Sequence, residues 1–508
     1  MFGVQKATNT AGGWKRGTSR QLDRAKQTLS VKDEKISKLG QEISKLEQEN
    51  KQLEQENKRL KKEIAELQLN STNSSKPPSS DGLAGPQRKR CRNRKNPSKR
   101  KPGGQPGHPG HYRKPVEAQQ VSERVTVVPE RCSGCGGVFS EQTRRDRRIG
   151  EPRKHQVLEL PPIEPYVIEY ECVNVHCPDC DRQTRADLPE QFATHTGPRL
   201  TAFIAHLTVV CRMPRRMVRQ MLEETMGIRI SVGCTQSSWE QVSEAVKEPC
   251  EELGRQLPRE PVLNADETGW RQNGGKRWIW ALVAHRFTFY LVAKSRSAGV
   301  LELLLGAMFP GILCSDRYSG YLKYHKGKAQ FCWAHLKRNI LAILEQADGD
   351  WKPERFARDA LTLQARLFRL WWKFRDGKID RAQLIRRSLP IRRGFLELAR
   401  MWWECENRKV HNLANAFGEH YEKLFCFIDE SGVEPTNNDA ERALRRAVIC
   451  RKISFGNRSD TGAIATGRLL TVAQTCAQQR RPTLAYLTEA VQRYRLNQKA
   501  PSLLSPTD

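Results

Sequence analysis

No stretch of this chain approaches the roughly 20 consecutive apolar residues that span a bilayer, and no signal-peptide pattern opens it. We therefore expect a soluble, intracellular protein. Acidic residues are few beside basic ones: 57 Asp and Glu stand against 87 Lys and Arg, which gives a formal net charge of +30. That excess favours a polyanionic partner such as nucleic acid, although a ribosomal or membrane-surface protein would share the bias.

The cysteine pattern does not indicate a disulfide framework. The 15 cysteines are odd in number, and most stand singly within apolar runs, as Cys250 and Cys426 do. Such cysteines are typical of reduced, buried side chains. The length of 508 residues predicts three or four domains with ample material for a core.

A seven-residue repeat of apolar residues runs through residues 31–69 and predicts a coiled coil, preceded by a basic N-terminal segment at 1–30. Asn50 and Asn57 occupy one core position of the repeat and favour a dimer, because a buried asparagine fixes register and oligomeric state. Glu42 opposite Glu47 would repel in a parallel homodimer. A weak homodimer and a second partner zipper therefore both fit.

Residues 70–118 are rich in Ser, Pro, Gly, Lys and Arg and nearly free of large apolar residues, which predicts a disordered linker. Between Arg88 and Lys114 there are eleven basic residues and no acid. Such an arm can neutralise DNA phosphates without reading sequence, although a solubilising linker has the same composition. The candidate DNA contacts in this segment are Arg88, Lys89, Arg90, Arg92, Arg94 and Lys95.

Two Cys-x-x-Cys pairs predict a zinc-binding domain at residues 119–190. The predicted ligands are Cys132, Cys135, Cys177 and Cys180. The segment between the pairs is long enough for a few strands that bring them together. Four protein ligands leave no open position, so the Zn²⁺ would be structural. Cys172 and His176 lie close enough to the second pair to leave the fourth ligand open.

Helical periodicity marks residues 191–255, where four arginines at 212–219 precede a turn signal at Gly227. This pattern fits a helix-turn-helix-like DNA contact and, almost equally, an ordinary helical connector.

Three acidic motifs follow. Asp266 ends the apolar run 261–265 and Asp316 follows the run 311–314, so both acids are predicted at the ends of strands. Two further β-rich runs, at 277–283 and 287–292, and a helical stretch at 301–308 lie between them. Glu441 lies on a segment of helical periodicity that would bring it to the paired strand ends. Three such carboxylates can hold two divalent metals, whereas the adjacent Glu267 would point to the opposite face of its strand.

Together these motifs resemble the large DDE-type transposases of the IS66 insertion-sequence family, and the likeness covers nearly the whole chain. It is most specific at 266–270 (Asp-Glu-Thr-Gly-Trp), 316–321 (Asp-Arg-Tyr-Ser-Gly-Tyr) and 437–445 (Asn-Asn-Asp-Ala-Glu-Arg-Ala-Leu-Arg). The extra thiol of Cys172 departs from the usual family pattern.

The resemblance implies a multidomain α+β protein with an RNase H-like α/β catalytic core at 256–475, an α-helical insertion in it at about 339–429, and a C-terminal helix and tail at 476–508. The insertion carries five tryptophans among many arginines. We interpret most of these tryptophans as core residues, in preference to a DNA-gripping surface. They are Trp351, Trp371, Trp372, Trp402 and Trp403.

The resemblance also implies that Asp266, Asp316 and Glu441 hold Mg²⁺ or Mn²⁺ and catalyse DNA strand cleavage and strand transfer. Further candidate DNA contacts are Arg317, His335, Arg338, Arg442 and Arg445. The expected partners are the element ends and target DNA, a second copy of the chain through the coiled coil, and accessory proteins of the same element, in a bacterial cytoplasm. Two alternatives remain: a non-catalytic zipper and zinc DNA-binding regulator, and an RNase H-like nuclease without joining activity.

Overall fold

The computed structural model describes residues 11–67, 107–109, 114–189, 194–347 and 349–504. The chain is a mixed α+β protein that divides into two compact units. The first unit comprises Met1–Gln87, Pro258–Asp266 and Ser297–Glu441, and the second Arg88–Leu257, Glu267–Arg296 and Arg442–Asp508. Most of the predicted linker lies outside the described residues. So do its six candidate DNA contacts, which are Arg88, Lys89, Arg90, Arg92, Arg94 and Lys95.

The predicted zipper is part of one long helix, α1, over Ala11–Leu67. It begins well before residue 31, so most of the predicted basic N-terminal segment is helical as well. The apolar positions of the repeat, such as Ile43, Leu46 and Leu53, are exposed along this helix in the single chain. An exposed stripe of this spacing is what a coiled coil presents before pairing. Pairing through α1 stays a prediction.

The rest of the first unit combines three parallel strand segments with a set of helices. Its strands are β6 (Ile312–Ser315), β7 (Ala329–Phe331) and the first residues of β3 (Val262–Gln272). Its helices are α7 (Ala298–Leu305), α8 (Ser319–Tyr324), α9 (Trp333–Glu345), α10 (Trp351–Arg375), α11 (Arg381–Trp402), α12 (Arg408–Glu419), α13 (Tyr421–Asp429) and the start of α14 (Asn438–Ser454).

Helices α10 to α13 and the second half of α9 cover the predicted insertion, and all five helices share one hydrophobic core with β6 and β7. At its centre the Trp333 ring lies 5.2 Å from Phe395 and 5.9 Å from Phe425, measured between ring centroids. The indole of Trp333 also donates to the Leu424 carbonyl at 2.7 Å. The core therefore ties α9, α11 and α13 to the carboxyl ends of the strands.

The interpretation of the five insertion tryptophans as mainly core residues is wrong. Trp371 and Trp402 are buried, but Trp351, Trp372 and Trp403 are exposed. Neighbouring residues on a helix point about 100° apart. Of each adjacent pair, therefore, only one ring faces the core.

The second unit begins with short elements and continues with helices. Its first elements are α2 (Glu141–Asp146), β1 (Asn174–His176) and β2 (Gln183–Arg185). Its larger helices are α3 (Pro198–Val209), α4 (Arg215–Met226), α5 (Val232–Ala245), α6 (Lys247–Gln256), α15 (Asp460–Gln478), α16 (Thr483–Arg495) and the rest of α14. Gly227 ends α4 in the left-handed conformation, as the turn signal predicts. The C-terminal α16 packs on α3 and α5.

Two antiparallel strands complete this unit, β4 (Gly275–Val283) and β5 (Thr288–Ala293). The backbone N–H groups of Thr288 and Tyr290 on β5 donate to threonine hydroxyls of α15, so this helix covers β5. The strand order is β5-β4-β3-β6-β7, and β3 contributes residues to both units. The predicted succession of three strands, a helix and a fourth strand is observed.

Strand β3 differs from the prediction in length, because it continues past Asp266 to Gln272. Asp266 therefore lies inside a strand, although it was predicted at a strand end. The continuation forms a hairpin with β4 through Asn273 and Gly274, both at positive φ. Asn-Gly is the typical two-residue loop of a tight β-hairpin, a signal that the sequence carried. Among the residues that the structure describes, no helix is long and apolar enough to cross a membrane.

Candidate functional site

The parallel pairing of β3 and β6 sets the positions of the first two predicted acids. Asn264 pairs with Cys314 in the last step of this register. Asp266 and Asp316 each follow two residues later, so they occupy equivalent positions beyond the paired stretch. Neighbouring strands lie about 4.8 Å apart. The backbones of Asp266 and Asp316 thus lie just beyond the same end of the paired stretch of β3 and β6.

Asp316 is held by the loop that follows β6. Its Oδ1 accepts a hydrogen bond from the backbone N–H of Tyr318 at 2.9 Å, at the start of α8. The neighbouring Arg317 is largely buried, and its pKa is lowered by desolvation, an effect that the charge of Asp316 opposes. This stretch of loop therefore combines a fixed carboxylate with a poorly solvated guanidinium.

Glu267, one residue after Asp266, has a fully buried side chain that pairs with Arg296. The guanidinium of Arg296 in turn lies 5.0 Å from the ring centre of Trp278. Successive side chains of a strand point to opposite faces of the sheet. Glu267 is thus engaged within the second unit and directed away from the face of Asp266.

Glu441 lies in the first turn of α14, as its helical spacing predicts. Its Oε1 is 3.4 Å from His335 Nδ1 and 3.4 Å from Arg338 Nη2, both on α9. Charged hydrogen bonds of this kind are usually 2.7–2.9 Å long, so both contacts are longer than usual. Arg442 and Arg445, two of the predicted DNA contacts, are exposed on the same helix.

Cys332, His335 and Glu441 have ligand-type atoms within 4.8 Å of one another, a grouping that the sequence analysis did not foresee. Only one of the three predicted carboxylates belongs to it. Burial lowers the pKa of His335 to about 3, helped by the charges of Arg338 and Arg317. Burial also raises the pKa of the Cys332 thiol to about 11. The charges of Arg338 and Arg317 beside His335 would oppose a cation here.

A buried pair of residues, Asn437 and Cys332, connects the segments that carry the acids. The side-chain amide of Asn437 donates to the carbonyl of Ala265 at 2.8 Å, and its backbone N–H donates to Cys332 Sγ at 3.1 Å. The backbone N–H of Cys332 donates to the Ser315 carbonyl at 2.9 Å. No pattern in the sequence assigns either residue a role.

The two Cys-x-x-Cys pairs form turns of the same geometry in the second unit. Strands β1 and β2 flank Cys177 and Cys180, and a bridge between Arg131 and Val138 flanks the other pair. In each turn the carbonyl of the first cysteine accepts a bond of 2.9 Å from the residue four positions later, which has positive φ. Tight turns of this kind direct two thiols to one side, as a zinc knuckle requires.

The donor set suits Zn²⁺. The pKa of Cys132 is lowered chiefly by hydrogen bonds from the backbone N–H groups of Cys135 and Gly134. The pKa of Cys177 is lowered in the same way by Asp179 and Cys180. Thiolates are the form that binds zinc. His176 is a candidate for the fourth zinc ligand, and its Nδ1 lies 3.2 Å from Asp181 Oδ1.

In the described segment 136–176 between the pairs, the structure has a single strand, β1, so a set of strands that brings the pairs together is not observed there. Residues 147–173, all described, form no strand, and their apolar side chains such as Val157, Leu160 and Val167 are exposed. Among the described residues, no three of these four cysteines have their sulfur atoms within 4.8 Å of one another. A module this small has too little apolar surface to close by burial alone, and converging thiolates repel each other.

Comparison with known proteins decides the family. The sequence model described as "Transposase IS66 family" matches residues 193–465, more than half of the chain. The chain belongs to the IS66 transposase family. The zinc-finger binding domain of IS66 transposases matches residues 129–181 and supports a structural zinc. A family of unknown function matches residues 21–114.

Two relatives of this IS66-family chain come from Sinorhizobium fredii (strain NBRC 101917 / NGR234). The uncharacterized protein y4qI is 29% identical over 255 residues, which cover 43% of this chain and 44% of the relative. The uncharacterized protein y4jD is 28% identical over 182 residues, covering 33% and 34%. The chain thus spans less than half the length of either curated relative.

Proposed function

We propose that the chain is a DDE transposase, which cleaves DNA at the ends of a mobile element and joins those ends to target DNA. The observation that carries the proposal is the β3–β6 register. Asp266 and Asp316 each follow the last pair of this register by two residues, and both lie within the segment that the family model matches, which supports a shared role for the two acids. The strand order around β3 supports the RNase H-like core that the resemblance implies.

Asp266, Asp316 and Glu441 would hold two Mg²⁺ or Mn²⁺ ions, since carboxylate oxygens suit hard cations. The chemistry that such ions would supply is activation of a water or a DNA 3′-hydroxyl and stabilisation of the leaving oxygen in an in-line displacement. The contacts of Glu441 with His335 and Arg338 are each 3.4 Å long, which is longer than usual for charged hydrogen bonds. Arg338, beside Glu441, would also offer its guanidinium to a DNA phosphate.

Other parts of the chain would deliver DNA to this site. The zinc module, the basic arm at 70–118 and the arginines of α4 offer contacts to nucleic acid, and α1 offers a surface for a second copy. Arg216 and Arg219 are exposed on α4, consistent with a helix-turn-helix-like contact. Trp372 and Trp403 add exposed aromatic rings on helices rich in arginine. Aromatic and basic side chains together suit DNA whose bases are accessible.

A strand-transfer assay tests the proposal. Purified protein, Mg²⁺, a labelled DNA carrying the terminal repeats of its element and a target plasmid are incubated together. We expect cleavage at the repeat ends and covalent joining of those ends to the plasmid, both requiring Mg²⁺. DNA without the repeats is the control and should give neither product.

The same assay separates the alternatives. A non-catalytic DNA-binding regulator would retain the labelled DNA in a gel shift but give no cleavage at any metal concentration. A nuclease without joining activity would give cleaved ends and no plasmid product. Either pattern would overturn the transposase assignment.

A further inference from the structure

We propose that Asn437 and Cys332 are positioning residues that hold the three catalytic carboxylates in register. The inference rests on the proposed function, and it concerns residues that the proposed chemistry does not itself use. Asn437 donates through its side chain to the carbonyl of Ala265, the residue before Asp266. Cys332 donates through its backbone to the carbonyl of Ser315, the residue before Asp316.

The same two residues also fix the helix that carries the third acid. The carbonyl of Asn437 accepts the backbone N–H of Glu441 at 3.2 Å, and this bond forms the first turn of α14. The backbone N–H of Asn437 donates to Cys332 Sγ, and the backbone N–H of Trp333 donates to the carbonyl of Pro435 at 2.9 Å. Hydrogen bonds thus run from both residues to the backbone beside each acid.

The surroundings of Asn437 make these bonds hard to replace. Only 1% of its surface is exposed, and Cys332 is 2% exposed. Removing the amide would therefore take a buried hydrogen-bond donor away from the Ala265 carbonyl. The Oδ1 of Asn437 is itself buried without a hydrogen-bond partner. Stability alone does not explain a buried amide with an unpaired oxygen.

Positioning matters here because Mg²⁺ demands near-ideal octahedral geometry from its oxygen ligands. Three carboxylates on separate elements meet that demand only when the backbones that carry them keep a fixed spacing. Groups that orient metal ligands from outside typically change metal affinity by about 10- to 100-fold when they are removed. Asn437 and Cys332 touch backbone beside the ligands, and the proposal gives them no contact with substrate.

The test compares Asn437→Ala with Asn438→Ala. Asn438 is the next residue, is exposed, and begins the same helix. We expect Asn437→Ala to raise the half-saturating Mg²⁺ concentration for DNA cleavage about 10-fold or more, with an unchanged dissociation constant for DNA. Mn²⁺ binding to the full chain without DNA, followed by electron paramagnetic resonance, should weaken by a similar factor. Asn438→Ala should leave both values within about twofold of the unaltered protein.

A second pair of variants guards against misfolding. Cys332→Ser keeps an acceptor for the Asn437 N–H, and Cys332→Ala removes it, while the backbone bond to Ser315 is the same in both. We expect the serine variant to bind Mn²⁺ more tightly than the alanine variant. Equal Mn²⁺ affinities in both pairs, with an active unaltered protein, would overturn the positioning role and leave the transposase proposal standing. An unaltered protein that neither binds Mn²⁺ nor cleaves DNA would instead overturn the transposase proposal.

Discussion

Asp316→Asn is expected to reduce metal-dependent DNA cleavage by about 10⁴-fold or more, a loss typical of removing one member of a catalytic set. Asparagine keeps the shape of the side chain and an oxygen that can accept the Tyr318 N–H. It removes the negative charge that a divalent cation needs. The dissociation constant for element ends should therefore stay unchanged when it is measured without metal.

The matched control for this variant is Asp439→Asn, which removes an exposed carboxylate two residues from Glu441. It should cleave DNA at nearly the rate of the unaltered protein, because cleavage requires the carboxylates that bind metal and not negative charge near them in general. Cleavage that survives Asp316→Asn and falls in Asp439→Asn would show that the carboxylate set is misassigned.

Cys177→Ser is expected to abolish binding of the structural zinc and to unfold the module at residues 129–181. In a closed structural site, four thiolates hold one Zn²⁺. The free energy of zinc binding then contributes directly to folding, because the unfolded chain has no preformed site. Metal analysis of the purified chain should give about one zinc per chain for the unaltered protein and none for the variant. Hydrogen exchange should show that the backbone N–H groups of Cys177 and Asp181 lose protection, since both lie in the knuckle.

Cys172→Ser and Cys211→Ser serve as controls for the zinc variant. Cys172 lies outside the β1–β2 hairpin, and Cys211 is an exposed cysteine after α3. Both variants should keep zinc. Loss of zinc from Cys172→Ser together with retention in Cys180→Ser would instead make Cys172 the fourth ligand.

Local sequence patterns account for much of the fold. Alternating and β-branched residues predicted β4 and β5, and the apolar run before Asp316 predicted β6, because short strands leave clear composition signals. The seven-residue repeat predicted a helix over 31–69, whereas α1 begins 20 residues earlier, at Ala11, and ends at Leu67. What local patterns did not show was which face of an element is covered. The exposure of Trp372 beside the buried Trp371 depends on the packing of α10, and the sequence gives both residues equal weight.

The sequence predicts the three acids of the candidate site but not the buried residues that hydrogen-bond to the backbone beside them. Asp266, Asp316 and Glu441 stand in motifs of recognisable type. Asn437 and Cys332 contribute through hydrogen bonds to backbone carbonyls of residues far away in the chain. Such contacts leave no periodicity and no motif of their own. They become visible only when β3, β6, β7 and α14 are placed in space.

The most direct test of the central claim, that Asp266, Asp316 and Glu441 share bound metal, replaces Mg²⁺ by Fe²⁺. With ascorbate and peroxide, bound iron generates hydroxyl radicals that cut the chain next to the ions, and mass spectrometry locates the cuts. We expect cuts near residues 266, 316 and 441 together, suppressed by excess Mg²⁺ and absent from Asp316→Asn. Cuts confined to the surroundings of Cys332, His335 and Glu441, with none near Asp266 or Asp316, would contradict it.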